Sequence, residues 1–189
     1  DGTRFSDFAA LPFSSGPAAD EAAPIIFGNT SFQQRSIADR VTALAAGSPN
    51  TGNWDMNTVN ETADGEESGG KGRFLFTVYE TGQAGVQRHD LLTGQTETIW
   101  ISPALFGHVS FDACFWTPWG TLITAEESWS TRAGGSNSPY GRVFELVNPT
   151  TAPGITGEAG PSSNDGALFF HRNAVPRVSH EGIQFDSQG

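Results

Sequence analysis

Acidic residues recur in this sequence where apolar strand patterns end. They are Glu80 after FLFTVY, the pair Glu126 and Glu127 after TLITA, and Glu181 in VPRVSHE, at intervals of 46 and 55 residues. If these strands are equivalent parts of a repeated unit, their ends meet around one point and bring the carboxylates together. Clustered carboxylates suit Ca²⁺, which takes six to eight oxygen ligands. The same acids could instead be turn residues that recur by chance.

The residues next to the last acid extend this chemistry. His180 directly precedes Glu181 and is the best-placed imidazole for an iron site, although a single His more often has a structural role. Arg172 and Arg177 flank the same motif. A guanidinium beside a metal could bind an anionic oxygen in bidentate fashion. A surface position is the alternative for each arginine.

Composition excludes several classes of protein. The net charge is -11, from 10 basic and 21 acidic residues, so no basic surface is predicted for a nucleic-acid partner. The single cysteine, Cys114, permits no internal disulfide, and its strand VSFDACFW suggests a buried, inert thiol. The sequence lacks a run of about 18 apolar residues, so no membrane span is predicted.

The elements that must position the acids are predominantly short strands. Residues 73–189 show strand patterns separated by Gly-rich turns and predict an all-β fold, as a sandwich, barrel or propeller. The recurring acids favour a β-propeller, of which this region would supply two to three blades. Residues 1–72 are predicted as an extended N-terminal segment with one helix at about 32–46, followed by a loop over 47–72. An incomplete propeller would be completed by sequence outside this chain or by another chain.

Four segments, whose order along the chain agrees with that in the family, resemble motifs of the PhoX-type bacterial alkaline phosphatases. TPWGTLITAEE is similar to that family's T-P-W-G-T-x-L-T-C-E-E signature, and RVSHEGIQFD resembles its R-F-S-H-E-A-V-x-x-D segment. VYET resembles the end of the family's N-H-E-Y-T strand, and GRVFEL resembles a further strand. The similarity covers residues 72–189 well. The four segments occupy residues 117–127, 177–186, 78–81 and 141–146.

The resemblance implies a β-propeller that is exported folded by the twin-arginine route and acts in the periplasm or outside the cell. It also implies hydrolysis of phosphate monoesters with calcium and iron in the central channel. Carried over by position, the metal ligands would be Glu80, Glu126 or Glu127, and Glu181. We expect Arg177 or Arg172 to hold the phosphate.

The sequence departs from the family pattern in two of these motifs, since Val78-Tyr79 replaces the Asn-His of N-H-E-Y-T and Ala125 replaces a cysteine. Ala125 stands where the family has a cysteine, and a methyl group cannot bind iron, so calcium is the expected metal and iron is doubtful. A calcium site could polarise a phosphoryl oxygen, or it could be structural in a non-catalytic propeller that serves as a binding or assembly subunit. A lactonase-like calcium propeller is a third reading. Strand alternation predicts that Ala125 and Glu127 share one face and that Glu126 lies on the other.

Overall fold

A computed structural model describes seven parts of the chain. These are residues 16–20, 23–28, 33–37, 53–61, 70–127, 139–151 and 169–186. The chain divides into two compact units, Asp1–Asp39 and Arg40–Gly189. In the first unit, the short antiparallel strands β1 (Gly16–Pro17) and β2 (Ile25–Ile26) pair with each other.

The helix predicted over residues 32–46 is not found in the part of that range that the structure describes. Residues 33–37 are not helical, and the rest of that range lies outside the described residues. The described parts of the chain contain no helix long and apolar enough to cross a membrane.

The second unit contains two four-stranded antiparallel meanders. The strand order in the first is β3-β4-β5-β6, and in the second β10-β9-β8-β7. Each strand therefore pairs with its neighbour in sequence, as hairpin connections allow. The all-β prediction is confirmed. The strands are β3 (Trp54–Val59), β4 (Phe74–Tyr79), β5 (Gly85–Asp90), β6 (Thr96–Ile101), β7 (Phe111–Trp116), β8 (Leu122–Glu126), β9 (Val143–Leu146) and β10 (Phe169–His171).

Two sequence predictions about strands need correction. The segment 47–72, predicted as a loop, contains β3, which pairs with β4 and so belongs to the same sheet. Conversely, the strand predicted over 179–186 is absent, although these residues are described. A strand exists only where its backbone has a partner, and the backbone hydrogen bond in this segment is His180 N–H to Glu126 O, at 3.2 Å.

An aromatic core joins the two meanders. Phe76 of β4 stacks on Trp116 of β7 with ring centroids 5.7 Å apart, and Trp100 of β6 stacks on Phe169 of β10 at 4.0 Å. All belong to or pack against one continuous cluster of apolar side chains. Burying each large aromatic side chain contributes about 1.5–3 kcal/mol, so this cluster fixes the two sheets against each other.

A second apolar cluster anchors the segment that carries Glu181. Ile183 and Phe185 pack against a group of buried apolar side chains of the second meander, Ala113, Ile123, Ala125 and Val143. The approach is close at Gly141, which has φ 73°, since an added Cβ would lie 2.5 Å from the carbonyl oxygen of Val178. Only glycine meets both requirements there, and the segment before Glu181 is positioned as a result.

Candidate functional site

Both meanders repeat one local arrangement at the strand ends. Asn53 before β3 and Ser110 before β7 have positive φ values, 54° and 45°. The carbonyl of Asn53 accepts the N–H of Glu80 at 2.9 Å, and the carbonyl of Ser110 accepts the N–H of Glu127 at 2.7 Å. Positive φ is uncommon for residues other than glycine. Its occurrence at matching positions therefore identifies the two strand ends as equivalent.

The pairing register extends this equivalence. Trp54 pairs with Tyr79 in the first meander, and Phe111 pairs with Glu126 in the second. In both, the register shifts immediately afterwards, which marks a β-bulge on the first strand. Bulges re-aim side chains and are frequent next to functional sites. The first residues after the paired positions, within these irregular stretches, are Asp55 and Asp112.

Glu126 therefore corresponds to the core residue Tyr79, and Glu127 corresponds to Glu80. Glu126 is fully buried, and both of its oxygens are engaged by Arg142, at 2.6 Å from Nη2 to Oε1 and 2.9 Å from Nε to Oε2. The backbone N–H groups of Val109 and Arg142 also donate to it. The pattern of contacts gives Glu126 a structural role. Of the two neighbouring glutamates, Glu127 is the one that matches the first strand end.

Five carboxyl groups act on one another at this end of the sheets, and we call them the carboxylate cluster. The repulsion among them is clearest in the pKa of Asp112, a residue that is only 8% exposed. Burial, followed by the negative charges of the other four, raises the pKa of Asp112 to about 6. The cluster consists of Asp55, Glu80, Asp112, Glu127 and Glu181.

Glu80 is affected by two other members of the cluster. Burial raises the pKa of Glu80, a hydrogen bond from Asn53 opposes this, and the charges of Asp55 and Glu127 raise it further. The Asn53 Nδ2–Glu80 Oε2 distance is 2.5 Å. The proximity of these negative charges is unfavourable, and a cation between them would relieve the repulsion.

The Asp112→Asn variant tests the pKa of this group through stability. The folded-state pKa of about 6 lies above the usual Asp value of about 3.9, so the folded protein retains a proton that the unfolded chain has lost. Without added calcium, this contribution to the free energy of unfolding falls as pH rises from about 4 to about 6. The variant should therefore gain stability relative to wild type across that window and keep the gain above it. Urea unfolding at a series of pH values measures the difference. A constant difference between the two proteins would contradict the assignment.

The carboxylate oxygens of the cluster are ligands of the kind that calcium binds, and the cluster lacks the thiolate that the family pattern would supply to iron. Within the parts of the chain that the structure describes, no three His, Cys, Asp or Glu side chains are already arranged as a metal-binding group. The cluster nevertheless offers hard carboxylate oxygens, which are the ligands of Ca²⁺. Ala125 is buried and apolar, and Cys114 lies in the core with its Sγ 3.8 Å from the Phe76 carbonyl oxygen. Burial also raises the pKa of the Cys114 thiol, so no thiolate is present for iron.

His180 leaves one polar atom unaccounted for beside the cluster. Its Nε2 is buried without a hydrogen-bond partner among the described residues, and it immediately precedes Glu181. Buried polar atoms in native structures normally have a partner. A polar ligand at this site is one way to supply it.

The two arginines predicted to bind phosphate differ in their surroundings. Arg172 is ion-paired with Glu145, at 2.6 Å from its Nε to Oε2. Arg177 donates to the carbonyl oxygen of Pro139, and no carboxylate pairs with it in the described part of the chain. Its charge contributes to lowering the pKa of His171, after the larger effect of burial. Among the described residues, Arg172 therefore has a carboxylate partner and Arg177 has none.

Sequence reasoning missed Asp55 and Asp112. A signal for the second was present, because Val109-Ser110-Phe111-Asp112 and Val178-Ser179-His180-Glu181 both read V-S-x-acid. The predicted site was built from acids at predicted strand ends, such as Glu80 and Glu181, whereas Asp55 and Asp112 lie near the starts of β3 and β7.

Comparisons with family models, with curated proteins and with solved structures found no match for this chain. What the site can do is therefore inferred from its own residues and geometry.

Proposed function

We propose that this protein hydrolyses phosphate monoesters at a calcium ion held by the carboxylate cluster. The observation that carries the proposal is the electrostatic coupling of five acids, four of which come from equivalent strand starts and ends of the two meanders. The fifth, Glu181, lies in the segment whose sequence resembles the phosphatase family. Repelling carboxylates gain stability when a divalent cation lies between them.

The same repeat supports adjacent blades of a β-propeller. A propeller blade is a four-stranded antiparallel sheet whose first strand lines a central channel. Here β3 and β7 are the first strands of two such sheets, they contact each other, and each carries one acid of the cluster near its start. We propose that further blades, from this protein or another chain, complete the ring. Export to the periplasm or the cell exterior follows from the family resemblance.

Each part of the proposed site has a defined task. The carboxylate cluster would hold the cation, through Asp55, Glu80, Asp112, Glu127 and Glu181. When bound, the cation supplies Lewis-acid polarisation of the phosphoryl group. Arg177 would bind a phosphate oxygen with its guanidinium. The carboxyl groups must be deprotonated to bind the cation, and the pKa of Asp112 is raised to about 6, so calcium affinity should increase with pH.

Activity and metal dependence test the proposal together. The purified protein should hydrolyse p-nitrophenyl phosphate with added calcium, and a chelator should abolish the activity and calcium should restore it. Arg177→Lys should raise KM more than it lowers kcat, because a point charge replaces a bidentate group. Arg172→Lys is the matched control, since its guanidinium is ion-paired to Glu145. Absence of turnover with calcium, magnesium, manganese, zinc and iron would contradict the proposal.

A non-catalytic calcium-stabilised propeller, acting as a binding or assembly subunit, is the second candidate. Ala125, in place of the family's cysteine, favours it because the soft ligand that suits iron is missing at that position. In that case a chelator would lower the melting temperature while no phosphate ester is turned over.

A further inference from the structure

Two adjacent apolar side chains are exposed in the loop between β6 and β7. Leu105 is 64% exposed and Phe106 is 50% exposed, and we call this pair the apolar ledge. Single exposed apolar residues are common on proteins, whereas neighbouring ones beside a polar site indicate a surface that contacts something apolar.

The backbone holds Phe106 in an unfavourable conformation. Its φ is 60°, in the left-handed region that a bulky side chain rarely adopts. Its N–H donates to the Gly82 carbonyl oxygen at 2.6 Å, and its own carbonyl accepts from the Tyr140 hydroxyl at 2.7 Å. The ring lies against Gly82, where an added Cβ would be 2.8 Å from a ring carbon. Such strain persists where surrounding contacts enforce it, and it concentrates at functional sites.

The same loop is tied to the carboxylate cluster. Gly82 follows Glu80 by two residues, and the N–H of Ser110 donates to the Thr81 carbonyl oxygen at 2.8 Å. The carbonyl of Ser110 in turn accepts the N–H of Glu127. The middle of the loop, at Phe106, and its last residue, Ser110, are therefore hydrogen-bonded to residues within two positions of Glu80, and Ser110 is also bonded to Glu127. This places the apolar ledge at the rim of the cluster.

We propose that the apolar ledge binds the alcohol portion of the phosphate ester and gives the site a preference for aryl esters over short alkyl esters. The inference depends on the proposed function, since it assigns the organic half of the same substrate. An aromatic leaving group would lie against the Phe106 ring while the phosphate is held at the cluster. A short alkyl group offers less apolar surface to that ring.

The ratio of two specificity constants tests this assignment. In Phe106→Ala, kcat/KM for phenyl phosphate should fall about 10- to 100-fold more than kcat/KM for ethyl phosphate. Phe106→Leu should show a smaller change in the ratio because it retains an apolar side chain. Gly82→Ala should reproduce the loss with Phe106 intact, because the added methyl group displaces the ring. Leu92→Ala, which alters a 76% exposed leucine in the turn between β5 and β6, is the control and should leave the ratio unchanged.

The possible outcomes separate the two proposals. If Phe106→Ala remains folded, as judged by its melting temperature, and lowers both specificity constants equally, the ledge does not select the alcohol and the phosphatase assignment stands. If the wild-type protein hydrolyses neither ester with saturating calcium, both proposals are overturned.

Discussion

Replacing Glu126 by Gln is expected to lower the free energy of unfolding by about 3–5 kcal/mol, as loss of one partner from a buried ion pair typically does. The carboxylate is completely buried, and the Arg142 side chain is only 17% exposed. The substitution leaves that guanidinium with one charged partner fewer in a site largely closed to water. It also weakens the acceptor for two backbone N–H groups.

Urea unfolding with comparison of m values measures this effect. Glu97→Gln is the matched control, because Glu97 forms an ion pair of the same 2.6 Å length with Arg88 but its side chain is 45% exposed. Exposed pairs contribute about 0–1 kcal/mol, so the control should lose little. A loss below about 1 kcal/mol in Glu126→Gln would show that the buried pair is not structural.

Replacing Glu127 by Gln should have the opposite effect on stability. Glu127→Gln removes a charge from the carboxylate cluster, so calcium affinity should fall by at least about 10-fold, since ligand charge sets affinity in such sites. Without calcium, the variant should be more stable than wild type because the repulsion on Glu80 and Asp112 is reduced. The folded fraction of Glu126→Gln should bind calcium with wild-type affinity, and this variant should not be more stable than wild type without calcium.

Isothermal titration with calcium, and thermal unfolding with chelator, measure the two effects of Glu127→Gln. Glu61→Gln, at an exposed glutamate outside the cluster, controls for the change in net charge. Unaltered calcium affinity in Glu127→Gln, or a loss confined to Glu126→Gln, would reverse the assignment of the two glutamates.

Which parts of this fold can be predicted from sequence depends on how local their cause is. The patterns FLFTVY and VFEL sit in turn-bounded segments, so β4 and β9 were predictable. WDMNTV also alternates, but Gly, Asn and Ser on both sides hid β3 within a predicted loop. The segment around Glu181 has a strand-like sequence and forms no strand, because pairing depends on a partner that sequence pattern does not supply.

The candidate site shows the same limit. Alternation separates Glu126 from Glu127, but it cannot say which of them faces the core. That depends on the register of Phe111 opposite Glu126 and on the ion pair with Arg142. Arg142 immediately precedes β9 and lies 16 residues after Glu126 in the sequence. Asp112 was hidden for another reason, since a bulge breaks the alternation from which side-chain direction is read.

The repulsion among the acids of the carboxylate cluster has a consequence for where this protein can persist. With the proposed calcium site, folding is thermodynamically linked to the cation: calcium at 100 times its dissociation constant would add about 2.7 kcal/mol to the stability of the folded state. A chain that exists first where free calcium is scarce would start with its acids unneutralised and become more stable on reaching a calcium-rich medium. Its lifetime against proteolysis would then vary with the mineral content of the surroundings, apart from any effect on turnover.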